Sequence, residues 1–159
     1  MSCLLKRNEM TRPGSEFTAS ADPALRERAL FSLLIADADA AFRRLVREHL
    51  GRAVAVVGDV GDGDEAVRLA KRLHPDVVLM DIAMPIIGGP EAARRIKADR
   101  AETKVVLLTS GAQKPDALGA ESAGTSASQL HADALLPKKR MRAGFLSHVG
   151  RLERRRARR

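Results

Sequence analysis

From Phe31 onward, short apolar runs alternate with amphipathic stretches, and this alternation constrains the fold more than any single residue does. The runs are SLLIA (32–36), AVAVV (53–57), DVVLM (76–80), KVVLLT (104–109) and ADALL (132–136). Between them lie AAFRRLVREHL (40–50), DEAVRLAKRLH (64–74) and EAARRIKA (91–98), the last opened by Pro90 and Glu91. Strand-length apolar runs separated by helical segments predict βα units and a parallel sheet. The runs show little in-out alternation, so both faces of each strand are expected to be buried beneath helices. In the first helical segment Phe42, Leu45, Val46 and Leu50 fall on one face, as packing on a sheet requires. The stretch 111–131 instead mixes Gly119, Gly124 and several serines. Its poor helix propensity predicts a short or frayed fourth helix and an extended loop before the last strand.

The 159 residues suffice for one well-packed domain and are too few for two ordinary ones. Residues 1–29 show no sustained period and contain Pro13, Gly14 and Pro23, so they are expected to form a flexible leader. The domain is expected over 30–152, with a basic tail at 153–159. The one cysteine, Cys3, excludes an intrachain disulfide framework and a Cys-rich zinc site, which fits a reducing compartment. Neither a signal-peptide core nor a membrane span is visible, and a cytoplasmic location is expected. The net charge of +8 suggests nucleic acid until it is located. Residues 138–159 hold ten of the 28 basic side chains and one of the 20 acids, giving that segment +9 and the remainder −1. Basicity therefore belongs to the C-terminal segment, and nucleic-acid contact is expected only through it. The chain has no Trp or Tyr for base stacking.

Four of the apolar runs stop on a polar residue of a different kind. SLLIA ends at Asp37, DVVLM at Asp81, KVVLLT on Thr109 and ALLP at Lys138. Sites in open α/β sheets lie in the crevice beyond the carboxyl ends of the strands, where all four residues are expected. Two acids, a hydroxyl and a lysine gathered there suit the binding of a divalent cation and a phosphoryl group. Mg²⁺ takes one or two protein carboxylates and keeps several waters. A carboxylate can also attack phosphorus to form an acyl phosphate while a cation and a lysine neutralise the transferring group.

From residue 32 to about 152 the chain resembles a receiver domain of bacterial two-component response regulators of the stand-alone, chemotaxis type. The resemblance rests on HPDVVLMDIAMPIIGGPEAARRIK (74–97), with its Met-Pro and following Gly pair, and on GDVGDGDEAVRLA (58–70). It implies a flavodoxin-like three-layer sandwich with a five-stranded parallel sheet of order 2-1-3-4-5 and helices on both faces. By position, Asp81 matches the phosphorylated aspartate, Thr109 the switch hydroxyl and Lys138 the phosphoryl-binding lysine. Mg²⁺ would be held by Asp37, Asp81 and the backbone carbonyl of Ala83, with Asp39 as a further candidate. The phosphoryl donor would be a sensor histidine kinase or a phosphotransfer protein. The resemblance further implies a non-enzymatic role, with output by contact with a downstream protein.

The chain also departs from the family pattern. Ala38 stands where the family has a second acid after the first strand, which predicts weakened Mg²⁺ binding. Leu135 replaces a common aromatic residue of the fifth strand, and Pro137 precedes Lys138 instead of following it. Two rival readings stay open: a degenerate receiver that works without phosphorylation, and a phosphatase of the haloacid-dehalogenase type. The latter would take Asp37-Ala38-Asp39 as its DxD motif and Asp37 as its nucleophile.

Overall fold

Each apolar run becomes a strand, and the amphipathic stretches pack across the resulting sheet on both sides. The computed structural model describes residues 29–50, 54–110 and 127–141. The strands are β1 (Ser32–Ala36), β2 (Ala55–Val60), β3 (Val77–Asp81), β4 (Lys104–Thr109) and β5 (Ala134–Pro137). All pair in parallel, in the order β2-β1-β3-β4-β5, as a flavodoxin-like fold requires. Helices α1 (Ala40–Leu50), α2 (Gly63–Leu73) and α3 (Gly89–Asp99) connect the first four strands, and the 3-10 turn Ala127–Leu130 precedes β5. The leader up to residue 28, the expected fourth helix across 111–126 and the basic tail lie outside the described residues.

Alternate side chains of the strands feed two separate cores. Leu33, Ile35, Val77, Leu79, Val106 and Leu108 face α1, where they meet Val46 and Leu50. Leu34, Ala36, Val78, Met80, Val105 and Leu107 point the other way, onto Ala66, Leu69, Ala92 and Ile96 of α2 and α3. Both faces of the central strands are thus covered, which is why their sequences are apolar throughout. Truncating a fully buried side chain such as Leu79 to Ala is expected to destabilise by about 2–5 kcal/mol.

Two expectations need correction. The second strand begins later than AVAVV suggests and continues through Gly58 and Asp59 to Val60. Asp59 can remain in a strand, buried, because Arg43 and Arg47 of α1 neutralise it. A register shift between Leu33 and Leu34 moves the pairing from Val56 to Gly58, where the missing side chain makes room for Leu34 and Leu73. In α1, Leu45 is exposed and Arg43 takes its place among the buried residues with Val46 and Leu50. The helix is rotated so that a cation meets Asp59.

Local chemistry fixes the helix ends. Asp62 caps α2 by accepting from the Glu65 N–H at 2.7 Å, and Asp64 and Glu65 suit the positive end of the helix dipole. At the other end His74 turns left-handed at φ 48°, with its N–H on the Ala70 carbonyl. Helix α3 starts at Gly89-Pro90, where a proline lacks only an amide that the first turn leaves unused.

Candidate functional site

The parallel register aligns the carboxyl ends of the strands, and with them the four polar residues. Ala36 pairs with Met80, Asp81 with Leu108 and Thr109 with Pro137, so Asp37, Asp81, Thr109 and Lys138 all emerge at one edge. Three of the four meet directly. Lys138 Nζ lies 2.6 Å from Asp37 Oδ2 and 3.2 Å from Asp81 Oδ2. Its ammonium also sits over the Phe42 ring, 4.7 Å from the centroid, in cation–π contact. Thr109 stands half-buried at the same edge as the last residue of β4.

Asp37 is held at every polar atom of its backbone and at one carboxylate oxygen. Its N–H donates to the Val60 carbonyl at 3.0 Å, and its carbonyl accepts from Arg43 Nη1 at 2.6 Å. Oδ1 accepts from the Asp39 N–H at 2.9 Å, which leaves Oδ2 aimed at the lysine. Asp37 is 1% exposed, and this burial pushes its carboxyl above the usual carboxylate range. Lys138 and the Asp39 amide pull in the opposite direction, while the charge of Asp81 adds to the rise. Burial alone would lower Lys138, but the two carboxylates outweigh it and hold the ammonium above its ordinary value.

The turn after β3 is built to close on Asp81. Gly89 donates its N–H to the Ile82 carbonyl at 2.9 Å. A Cβ at Gly89 would lie 2.9 Å from Ile82 Cα and would collide with the Asp81 carbonyl, so this second glycine is required by close approach. Ala83, the expected backbone ligand, is exposed on this turn one residue beyond Ile82. Ile86 adopts φ 69° and is 68% exposed, an unfavourable left-handed conformation for a β-branched residue.

The donor set fits a hard divalent cation. Asp81 Oδ1 is buried with no hydrogen-bond partner, and Asp37 Oδ2 has a charge contact but no directed hydrogen bond. Two buried carboxylates with unused lone pairs match an ion that binds one or two carboxylates and keeps its waters. Asp39, the further candidate, is exposed and has one oxygen engaged at the start of α1. Its Oδ1 accepts from the Ala41 and Phe42 N–H groups at 2.9 and 3.2 Å, capping α1. Ala38 is exposed and brings no ligand, and among the described residues no three His, Cys, Asp or Glu side chains form a metal-holding cluster. The same cap engages one oxygen of the second acid in the DxD reading of 37–39.

Sequence reasoning missed three supporting residues: Phe42 under the lysine, and the Arg43–Asp59 pair behind Asp37. A signal for the pair was present, since a basic residue stood in the apolar stripe of α1 and an acid stood near the second apolar run. Two charges misplaced in buried elements imply each other, because a buried charge needs a partner.

The response regulator receiver domain family matches residues 33–138, and the chain belongs to it. It is 44% identical over 71 residues to the response regulator GacA of Pseudomonas aeruginosa, a match covering 41% of this chain and 33% of that one. To the response regulator UvrY of Escherichia coli it is 40% identical over 76 residues, covering 48% and 34%. The matched region thus spans about a third of the length of these relatives. The receiver domain of AraT from Geobacillus stearothermophilus superimposes with a TM-score of 0.65 at 25% identity, covering 80% of this chain and 98% of that one. The receiver domain of the sensor histidine kinase PA1611 from Pseudomonas aeruginosa gives 0.61 at 25% identity, covering 76% and 95%, and its structure holds a magnesium ion in the active site cleft. No helix among the described residues is long and apolar enough to cross a membrane.

Proposed function

We propose that this chain accepts a phosphoryl group on Asp81 from a histidine of a kinase or phosphotransfer protein and signals through contact with another protein. The observation that carries the reading is the convergence of Asp37, Asp81 and the Lys138 ammonium within 3.2 Å at the carboxyl edge of the sheet. In the transfer, an Asp81 carboxylate oxygen forms a bond to phosphorus as the donor's N–P bond breaks. The departing electron pair returns to the imidazole nitrogen. Lys138 already touches the attacking carboxylate and stands where it can neutralise the arriving phosphoryl oxygens. Asp37 holds that ammonium in place, with Phe42 beneath it. Thr109, at the end of the adjoining strand, is the hydroxyl to take a phosphoryl oxygen once the acyl phosphate has formed.

Asp37, Asp81 and the Ala83 carbonyl would hold Mg²⁺. When bound, it supplies charge neutralisation and a template for the transferring oxygens. With Ala38 in place of a second acid, its affinity is expected to be weakened. Phosphorylation would shift a two-state equilibrium through Thr109 and Lys138 and so change affinity for a partner.

Ala38 also favours a second reading, a degenerate receiver that acts without phosphorylation. One experiment separates the two. The chain and its Asp81→Asn variant are incubated with a small acyl phosphate and Mg²⁺ and then weighed intact. A phosphoryl adduct on the wild type alone supports the first reading; an adduct on neither supports the second, and an adduct on both moves the site away from Asp81.

A further inference from the structure

We propose that Arg43, locked in place by Asp59, is a positioning residue for the phosphoacceptor pocket, acting through the main chain of Asp37; this rests on the function proposed above. The Arg43 side chain is 10% exposed and forks between two oxygens. Nε donates to Asp59 Oδ1 at 3.1 Å and Nη1 to the Asp37 carbonyl at 2.6 Å. A planar guanidinium can span two acceptors in fixed geometry, which an ammonium cannot do. Asp59 is itself 7% exposed, and its other oxygen accepts from Arg47 Nε at 2.6 Å, so the acid that aims Arg43 is clamped from both sides.

The consequence falls on the Asp37 carboxylate. With its N–H on Val60 and its carbonyl on Arg43, Asp37 has both flanking peptide planes anchored, and the Asp39 N–H then fixes Oδ1. Only Oδ2 is left to face Lys138 and any bound cation. In the absence of a second acid at position 38, Asp37 is the one aspartate besides Asp81 that touches Lys138 among the described residues. Its orientation therefore carries the whole contribution of the first strand. Groups behind a metal ligand commonly matter this way, their loss weakening affinity about 10–100-fold.

The test compares Arg43→Met, Arg43→Lys and Arg47→Met in the full chain, reading Asp39 amide exchange by NMR and Mg²⁺ affinity by calorimetry. Arg47→Met removes a guanidinium from the same acid and leaves the donor to Asp37 untouched. Loss of Arg43 is expected to speed exchange at Asp39 about tenfold and to weaken Mg²⁺ binding by about the same factor. Arg47→Met should leave both within about twofold, even at equal loss of melting temperature. Should Arg43→Met not fold, Arg43→Lys decides, since it retains a cation opposite Asp59 but not the fork. Unchanged exchange at Asp39 in the Arg43 variants, or equal acceleration in Arg47→Met, overturns the proposal. If the wild type takes neither Mg²⁺ nor a phosphoryl group, the function proposed above fails, and the exchange rates still decide the role of Arg43.

Discussion

Replacing Lys138 with Met should lower stability and strengthen Mg²⁺ binding, two effects of opposite sign from one substitution. Among the described residues Lys138 is the only cation touching both Asp37 and Asp81, and its side chain is 20% exposed. Removing one member of a buried ion pair costs about 3–5 kcal/mol, because the partner charge stays behind. Two features hold the loss to the lower end. The partial exposure of Lys138 screens the pair, and Asp37, already pushed upward by burial, can take up a proton once the lysine is gone. The lost contact with the Phe42 ring adds back about 0.5–1 kcal/mol. The expected destabilisation is about 3 kcal/mol, or roughly 10 °C in Tm for a domain of this size. Mg²⁺ then meets two carboxylates with no competing ammonium. At a concentration of 100 Kd it should recover about 2.7 kcal/mol, nearly the whole loss. Thermal unfolding followed by far-UV circular dichroism, with and without MgCl₂, checks both halves. A variant that melts within about 2 °C of the wild type without metal would refute the electrostatic reasoning. So would one whose Tm rises no more with MgCl₂ than the wild type's.

Ala38→Asp should raise Mg²⁺ affinity about tenfold by adding a ligand charge, as measured by calorimetry; unchanged affinity would show that position 38 does not reach the cation. Ile86→Gly should raise stability by about 1 kcal/mol in a denaturant titration, because glycine adopts the φ of 69° without penalty. Asp133 accepts from the Val105 N–H and pairs with Lys97 and Lys104; burial would raise its carboxyl, but these partners outweigh burial and hold it below its ordinary 3.8. A lowered folded value gives stability that is present above pH 3.8 and lost as pH falls through the folded value. Asp133→Asn should therefore cost about 1–2 kcal/mol at pH 7, with the gap closing below pH 4 in urea titrations at each pH.

The strands and the edge that gathers the site were legible because both depend on a local pattern. An uninterrupted apolar run states that a strand is buried on both faces, and the residue that ends it must emerge at the sheet's carboxyl edge. The order of the strands came from the resemblance to receivers, since periodicity alone does not rank neighbours. What was hidden depends on pairs distant in sequence. Arg43 and Leu45 flank the stripe of α1 on opposite edges, and which edge is buried is decided by Asp59, sixteen residues away from Arg43 on β2. Asp39 looked like a spare ligand for the same reason. Its spacing to Asp37 suits a shared site, but the start of α1 one residue later presents two open amides that claim its carboxylate first.

Charge balance in the pocket gives Ala38 a meaning beyond a missing ligand. With Asp37 and Asp81 ionised, one ammonium leaves the site near −1; a third carboxylate would take it to about −2. A more negative pocket attracts Mg²⁺ more strongly and repels an incoming phosphoryl group more strongly, so the cation becomes obligatory. With alanine at position 38, Lys138 leaves the resting site a single charge short of neutral, and the upward push of burial on Asp37 acts to reduce that deficit. On the function proposed above, the alanine expected to weaken the hold on Mg²⁺ would therefore also lessen the need for it. Under that proposal the lysine, braced by Asp37 and Phe42, would bear a larger share of the phosphoryl charge. The geometry of Asp37, set from behind by Arg43, then governs the lysine as much as the cation.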